Sequence, residues 1–437
     1  MTVKVDIILR DGTLRHHHSK DKGPIFLSDD GVSGTVVVTG LDDSTVEEFD
    51  SVKITLFGNM LNVLSVMDID WPMTELYRMR MGQDLVRLTD CRGVQDAYGT
   101  EGTRLFPFCF KVPRQVLTPN GLKEGRELAQ CLPSSMNVAF ENRSPNSQVH
   151  GCRGKSKINY GIRAQLVRNG SVTVEMERPI LLFPTLDQEP PVCTSDFPDE
   201  YVLSEKKTLR TLFPFRRLGD LLVETSEATP FEFSCQKQSA SASVKIKLRY
   251  SRACQSCGPP EPFYGTVVSK LRSTTFVSIM PQQRMPTRKE AQRSPWMTKH
   301  STYHMNHKRK LRFSPWKQVK SNGNTQTSHS SEWESEATLV VEYSGDTFPE
   351  PTFASSLASR RYALCMSMEI EGCGRTTVDL SVPVNIRYTG KPYDRRPSLL
   401  ENLSTVLADR LSLGAEALSN QADFLLRTRD EPPIYVA

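Results

Sequence analysis

Apolar and polar positions alternate with a period of two through most of the first 390 residues. Val3, Val5 and Ile7 are separated by Lys4 and Asp6, and the apolar run from Gly34 to Thr39 precedes Val52, Ile54 and Leu56, spaced by Lys53 and Thr55. Successive side chains of a strand point to opposite faces. Such runs, about 8–12 residues apart and broken by Gly, Asp and Pro, predict half-buried strands of an all-β sandwich. The clearest piece runs from Ile158 to Phe183. Tyr160, Ile162, Ala164 and Leu166 share one face, with Asn159, Arg163 and Gln165 on the other; after Asn169-Gly170, Val172, Val174 and Met176 alternate with Thr173, Glu175 and Glu177. A two-residue loop would pair Leu166 with Thr173 and mix the faces. The expected register is therefore a bulged three-residue loop, Arg168-Asn169-Gly170, pairing Leu166 with Val172, Ala164 with Val174 and Ile162 with Met176.

A second strand-rich region covers about residues 210–390. Val244, Ile246 and Leu248 alternate with lysines, Phe276 begins a short run, and Ala337–Tyr343 is rich in strand formers. Tyr362, Leu364, Met366, Met368 and Ile370 share a face; a turn at Gly372–Gly374 leads to Val378, Leu380, Val382, Val384 and Ile386. Pro383 marks that strand as an edge or a bulge. Both regions close with a long glycine-turned hairpin, which suggests two similar domains, two antiparallel immunoglobulin-like sandwiches. The organisation read from this is a first sandwich over 1–185, a proline-bearing acidic linker over 186–205, a second sandwich over 206–390 with an insertion at 281–331, and a tail over 391–437. In the tail Ser398-Leu-Leu-Glu401 matches a capping box, and Leu399, Leu400, Leu403, Val406, Leu407 and Leu411 recur at helical spacing.

Apolar residues make up 38% of the 437 residues, enough to build cores and too many for a disordered chain. No apolar run approaches the roughly 18 residues of a membrane span, and the N-terminus lacks a signal-peptide pattern. The ten cysteines show no dense spacing, so free thiols in a reducing cytosol are expected. Charge is distributed unevenly. Residues 281–320 hold eleven Lys and Arg against Glu290 alone, a net +10 in a chain whose total is +5. This stretch reads as an exposed insertion or solvated loop. As a functional element, Lys308, Arg309, Lys310 and Arg312 would contact anionic headgroups or acidic partners, with nucleic acid the weaker alternative.

Catalytic and cofactor signatures are scarce. No Gly-rich phosphate loop, His-Glu-x-x-His or Gly-x-Ser-x-Gly is present, and neither an enzyme nor a cofactor is expected. Cys254-Gln-Ser-Cys257 is a lone pair whose candidate partners for a metal, His300, His304 and His307, lie more than forty residues away; two free thiols are the simpler expectation. His16-His17-His18 reads as a solvated loop. The sharpest signal is Pro432-Pro433-Ile434-Tyr435, for which this composition gives about 0.05 chance matches. Two prolines pre-form an extended left-handed helix that fits between aromatic side chains, and the tyrosine fills the next pocket. Pro432, Pro433 and Tyr435 thus make a ligand for WW domains.

The sequence resembles the arrestin family, and most of all the fungal alpha-arrestins. The residues that carry this are Gly34-Thr-Val-Val-Val ahead of Val52–Gly58, Leu105–Pro113, Ile158–Leu166 running to Arg178-Pro179, and Met368–Gly374 before Val382–Ile386. The resemblance covers about residues 1–390. It implies two curved antiparallel sandwiches and a non-catalytic adaptor. Such an adaptor binds cytosolic segments of membrane transporters or receptors and recruits a HECT-type ubiquitin ligase through its WW domains. The implied place is the cytoplasm, peripheral to the plasma membrane and endosomes. Alternatives with the same fold are a scaffold in ambient-pH receptor signalling and a retromer-type sorting subunit.

Overall fold

The computed structural model describes residues 3–10, 24–28, 31–40, 49–68, 75–99, 102–116, 132–142, 150–185, 194–210, 217–234, 239–254, 258–259, 264–319, 332–343, 348–370 and 376–389. Met1–Thr389 form one compact unit; the expected tail helix and Pro432, Pro433 and Tyr435 lie outside the described residues, as do His16–His18.

The described chain is almost entirely strand. Its first part comprises β1 (Lys4–Leu9), β2 (Ile25–Leu27), β3 (Gly31–Thr39), β4 (Ser51–Asp68), β5 (Glu75–Gly93), β6 (Thr103–Lys111), β7 (Met136–Asn142), β8 (His150–Arg168) and β9 (Ser171–Phe183). One sheet runs β1-β3-β6 and a second β2-β9-β8-β4-β5, with β7 also on β8. The second part comprises β10 (Ser204–Arg210), β11 (Arg217–Thr225), β12 (Phe231–Ser234), β13 (Ala240–Arg252), β14 (Tyr264–Ser278), helix α1 (Arg288–Arg293), β15 (Met297–Arg312), β16 (Lys317–Val319), β17 (Glu332–Tyr343), β18 (Phe353–Ala354), β19 (Ala358–Ile370), β20 (Thr376–Val384) and β21 (Ile386–Thr389).

The second part repeats the plan of the first. In place of β1-β3-β6 stands β11-β13-β17, and in place of β9-β8-β4-β5 stands β20-β19-β14-β15. Strand β8 is met first by β7 and then by β9, just as β19 is met first by β18 and then by β20. A short parallel pairing recurs too, β2 with the end of β9 and β12 with β21. By this correspondence β15 is the counterpart of β5. The basic stretch expected as an exposed insertion is therefore corrected: residues 297–312 pair with β14 along their length.

The β8–β9 hairpin also departs from expectation. Arg168 pairs with Ser171 across a two-residue Asn169-Gly170 turn, and the extra residue enters β9 just beyond it, so that Leu166 meets Val174 and Ala164 meets Met176. Both turn residues have positive φ, 50° and 74°, the twist that suits a two-residue hairpin. The bulge keeps the faces matched; it lies in the strand rather than in the loop. Pro383 falls in β20, which borders its sheet. Beyond it there is an isolated bridge between Ser381 and Val202, a place where a missing N–H costs little.

Each part has its own apolar core, and each core takes residues from the other part. Ile25, Leu27 and Phe183 belong to the core built on Leu248, Tyr250 and Leu364, with the Phe183 and Tyr388 rings 5.0 Å apart. Phe353, Leu357 and Ala358 belong to the core around Val36, Phe106 and Ile162.

Candidate functional site

The two parts meet along a cleft of about 640 Å³. Its first wall is the outer face of β4, β8 and β9, where alternation turns Phe57, Asn59, Asn159, Arg163 and Glu177 away from the core; Phe348 and Glu350 line the other side. Arg163 stands 5.0 Å over the Phe57 ring and donates from Nε to Glu177 at 2.8 Å. The cleft thus offers an aromatic surface, carboxamides and a paired charge, the equipment for holding a polypeptide segment.

A buried polar pin sits at the base of the junction. Asn62 is fully buried on the inward face of β4, between Met60 and Leu64. Its Nδ2 donates to the Ser278 and Leu357 carbonyls at 2.8 and 2.9 Å, and its Oδ1 accepts from Ser156 Oγ at 2.7 Å. A lone polar residue in the apolar run Met60–Leu64 was the available signal, though its partners, 94 to 295 positions on, were not.

The four basic candidates do not form one patch. Along β15, Lys308, Lys310 and Arg312 lie opposite Val268, Thr266 and Tyr264 on the outer face; Lys310 Nζ is 5.0 Å over the Tyr264 ring. Arg309 points to the other face, where it donates to Glu342 of β17 at 3.1 Å. Of the tryptophans nearby, Trp316 packs on Tyr250 while Trp296 is exposed.

The metal candidates do not converge. Cys254 is held in a disulfide, which corrects the expectation of a free thiol at this position and removes the thiolate it would lend a zinc site, while Cys257 lies outside the described residues; Cys91, Cys109 and Cys365 are free. Alternation along β15 carries His300 and His304 toward the sandwich interior. His304 Nε2 sits 2.8 Å from Ser273 Oγ, and its pKa is lowered by burial and then by Arg360. Among the described residues no group of three or more His, Cys, Asp or Glu could hold a metal ion, and no helix is long and apolar enough to cross a membrane.

A further constellation joins the start of the second part to α1. Residues 194–201 lie on the outer face of β14 and β19, where the Arg361 guanidinium is sandwiched between the Phe197 and Phe276 rings at 4.0 and 4.6 Å. Glu200, whose side chain is 4% exposed, accepts from Arg361 Nη2 at 2.5 Å and from the Arg288 backbone N–H at 2.5 Å. Helix α1 is fixed by a capping box between Thr287 and Glu290. Period-two reading could not have found this pairing, because Glu200 and Arg361 are 161 positions apart.

Neither a scan against protein-family models nor a search of curated proteins finds a match to this chain.

Proposed function

We propose that the chain is a non-catalytic adaptor that recruits a WW-domain HECT-type ubiquitin ligase to plasma-membrane transporters or receptors, promoting their ubiquitination and endocytosis. The observation that carries this reading is Pro432-Pro433-Ile434-Tyr435, whose prolines limit the entropy lost on docking and whose tyrosine supplies the second anchor. The almost wholly β architecture of antiparallel sheets is in keeping with the two sandwiches that the arrestin resemblance implies. The cleft between the two parts would receive a cytosolic segment of the cargo, against Phe57 and the carboxamides of Asn59 and Asn159. Lys308, Lys310 and Arg312 on one face of β15 would add attraction to an anionic membrane surface, at about 1 kcal/mol per basic residue near it.

The test is a pulldown of a recombinant WW-domain ligase with the full chain and with Tyr435→Ala. The expected result is loss of ligase capture in the variant, with cargo binding retained. Undiminished capture by Tyr435→Ala removes the motif, and with it this reading.

A further inference from the structure

A serine or threonine stands before proline five times in the chain, at Thr118, Ser144, Thr229, Ser294 and Ser314, and the last two share the tripeptide Ser-Pro-Trp. Thr118 and Ser144 lie outside the described residues. Proline keeps the residue before it out of the helical region, so each of these hydroxyls sits on extended backbone; at Ser294 φ is −89° and ψ 125°. What differs among the three described positions is how the fold holds them.

Ser314 is stitched to β17. Its N–H donates to the Glu336 carbonyl at 2.9 Å, its Oγ accepts from the Glu336 N–H at 3.0 Å, and its carbonyl accepts from Ser335 Oγ at 2.5 Å. Phe313 before it is buried, and Trp316 after it packs on Tyr250. Thr229 is tied to β13 in the same way, donating from N–H to the Ser243 carbonyl at 2.9 Å and accepting at Oγ1 from the Ser243 N–H at 2.7 Å; Phe231, two residues on, is fully buried. Ser294 is held only by its own neighbours. It caps the C-terminal end of α1, donating from N–H to the Glu290 carbonyl at 2.9 Å, and its Oγ accepts from the N–H of Trp296 at 3.2 Å. Ser294 is partly exposed, and Gln292, Arg293, Pro295 and Trp296 around it are exposed. A segment bonded into a sheet must open before an enzyme can draw it out, whereas a helix end with local contacts opens at little cost.

We propose that Ser294 is a phosphorylation site for a proline-directed serine/threonine kinase. In the transfer, Ser294 Oγ bonds to the γ-phosphorus of magnesium ATP as the bond from that phosphorus to the β,γ-bridging oxygen breaks. ADP leaves, and the hydroxyl proton passes to the catalytic carboxylate of the kinase. This chain supplies the acceptor and its presentation: an extended serine followed by a proline whose φ is already fixed. The product carries close to two negative charges at pH 7, next to Arg293. Strand β15 starts at Met297, and Lys308 lies about 35 Å further along it, several times the Debye length of about 8 Å. The added charge is therefore felt at α1 and not at the basic face of β15. The site is separate from the Pro-Pro-x-Tyr motif and stands whether or not the adaptor reading does.

The experiment incubates the full chain with magnesium ATP and a recombinant kinase of the mitogen-activated class, and follows phosphate at Ser294, Ser314 and Thr229 over time by peptide mass spectrometry. Two synthetic peptides, one centred on each Ser-Pro-Trp, are treated in parallel. In the full chain Ser294 is expected to be modified at least about tenfold faster than Ser314 and Thr229, because those two must first break hydrogen bonds to a neighbouring strand and each such bond lowers the open fraction severalfold. In the peptides, free of the fold, Ser294 is expected to hold no such advantage over Ser314. The absence of phosphate at Ser294 in the full chain overturns the proposal, as does modification of Ser314 or Thr229 at an equal rate. A preference of the same size between the two peptides also overturns it, since the flanking sequence rather than the fold would then make the choice.

Discussion

The Asn62 carboxamide donates to the Leu357 carbonyl at 2.9 Å, joining β4 to a residue 295 positions later in the chain. The same amide also holds Ser278 and Ser156. Replacing it with Leu fills the space but strands two carbonyls and a hydroxyl out of reach of water. Each stranded group costs about 1–3 kcal/mol, so Asn62→Leu is expected to lower unfolding stability by about 3 kcal/mol, measured by urea denaturation. Ser156→Ala removes one donor and is expected to cost about 1 kcal/mol. Equal effects from the two variants would show that the carbonyls find other donors.

Glu200→Gln tests the ion pair with Arg361. Both side chains are nearly inaccessible, at 4% and 3% exposed, and removing one partner of a buried pair costs about 3–5 kcal/mol. The variant is expected to show that loss in the urea midpoint. Glu200→Leu combined with Arg361→Met, which leaves no orphaned charge from the pair, is expected to recover part of it. A Glu200→Gln midpoint equal to wild type contradicts the geometry.

Gly170 occupies the turn of the β8–β9 hairpin at φ 74°, with no atom within 4 Å of the position a Cβ would take. Gly170→Val therefore isolates backbone strain from crowding and is expected to cost about 1–2 kcal/mol. A loss much larger than that would mean the hairpin also sheds its register.

His300 and His304 have pKa values lowered by burial first and by Arg360 second; Glu350 opposes the shift at His304. The neutral imidazole is thus favoured in the fold. As pH falls through the unfolded value near 6.5 the unfolded chain takes up protons first, so stability declines from there downward. Asp220, Glu334 and Glu336 also have lowered pKa values, held down by hydrogen bonds from and attraction to cationic neighbours, at Asp220 against the opposing effect of desolvation; the fold there favours the charged form, and carboxylates lose their contribution only below about pH 4.5. The urea midpoint is expected to fall between about pH 7.5 and 5.5, and the fall to shrink in His304→Gln. A flat profile over that window would place both imidazoles in water.

What could be read in the sequence follows where burial is one-sided. Val244, Ile246 and Leu248 alternate with lysines because one face of β13 packs inward and the other meets solvent, and all three are buried. Strand β15 defeats the same rule. It is an edge strand whose inward side chains include Thr302 and His304, held by Ser273 rather than by apolar packing, so neither face carries a hydrophobic signal. The β8–β9 register was half legible: alternation fixes which residues share a face but not whether the extra residue sits in the loop or beyond it. The cleft and the Glu200 constellation join residues far apart in the chain, and no local pattern encodes such meetings. The Pro-Pro-x-Tyr motif is the opposite case, visible in the sequence alone.

The exchange of residues between cores sets a rule for dissecting this protein. A chain ended after residue 185 would keep Ile25, Leu27 and Phe183 but lose the aromatic bed they lie on, and the complementary piece would bring Phe353 and Leu357 into water. Neither fragment would be a faithful miniature of its share of the whole. Binding measured on one alone would report a surface that the intact molecule keeps covered.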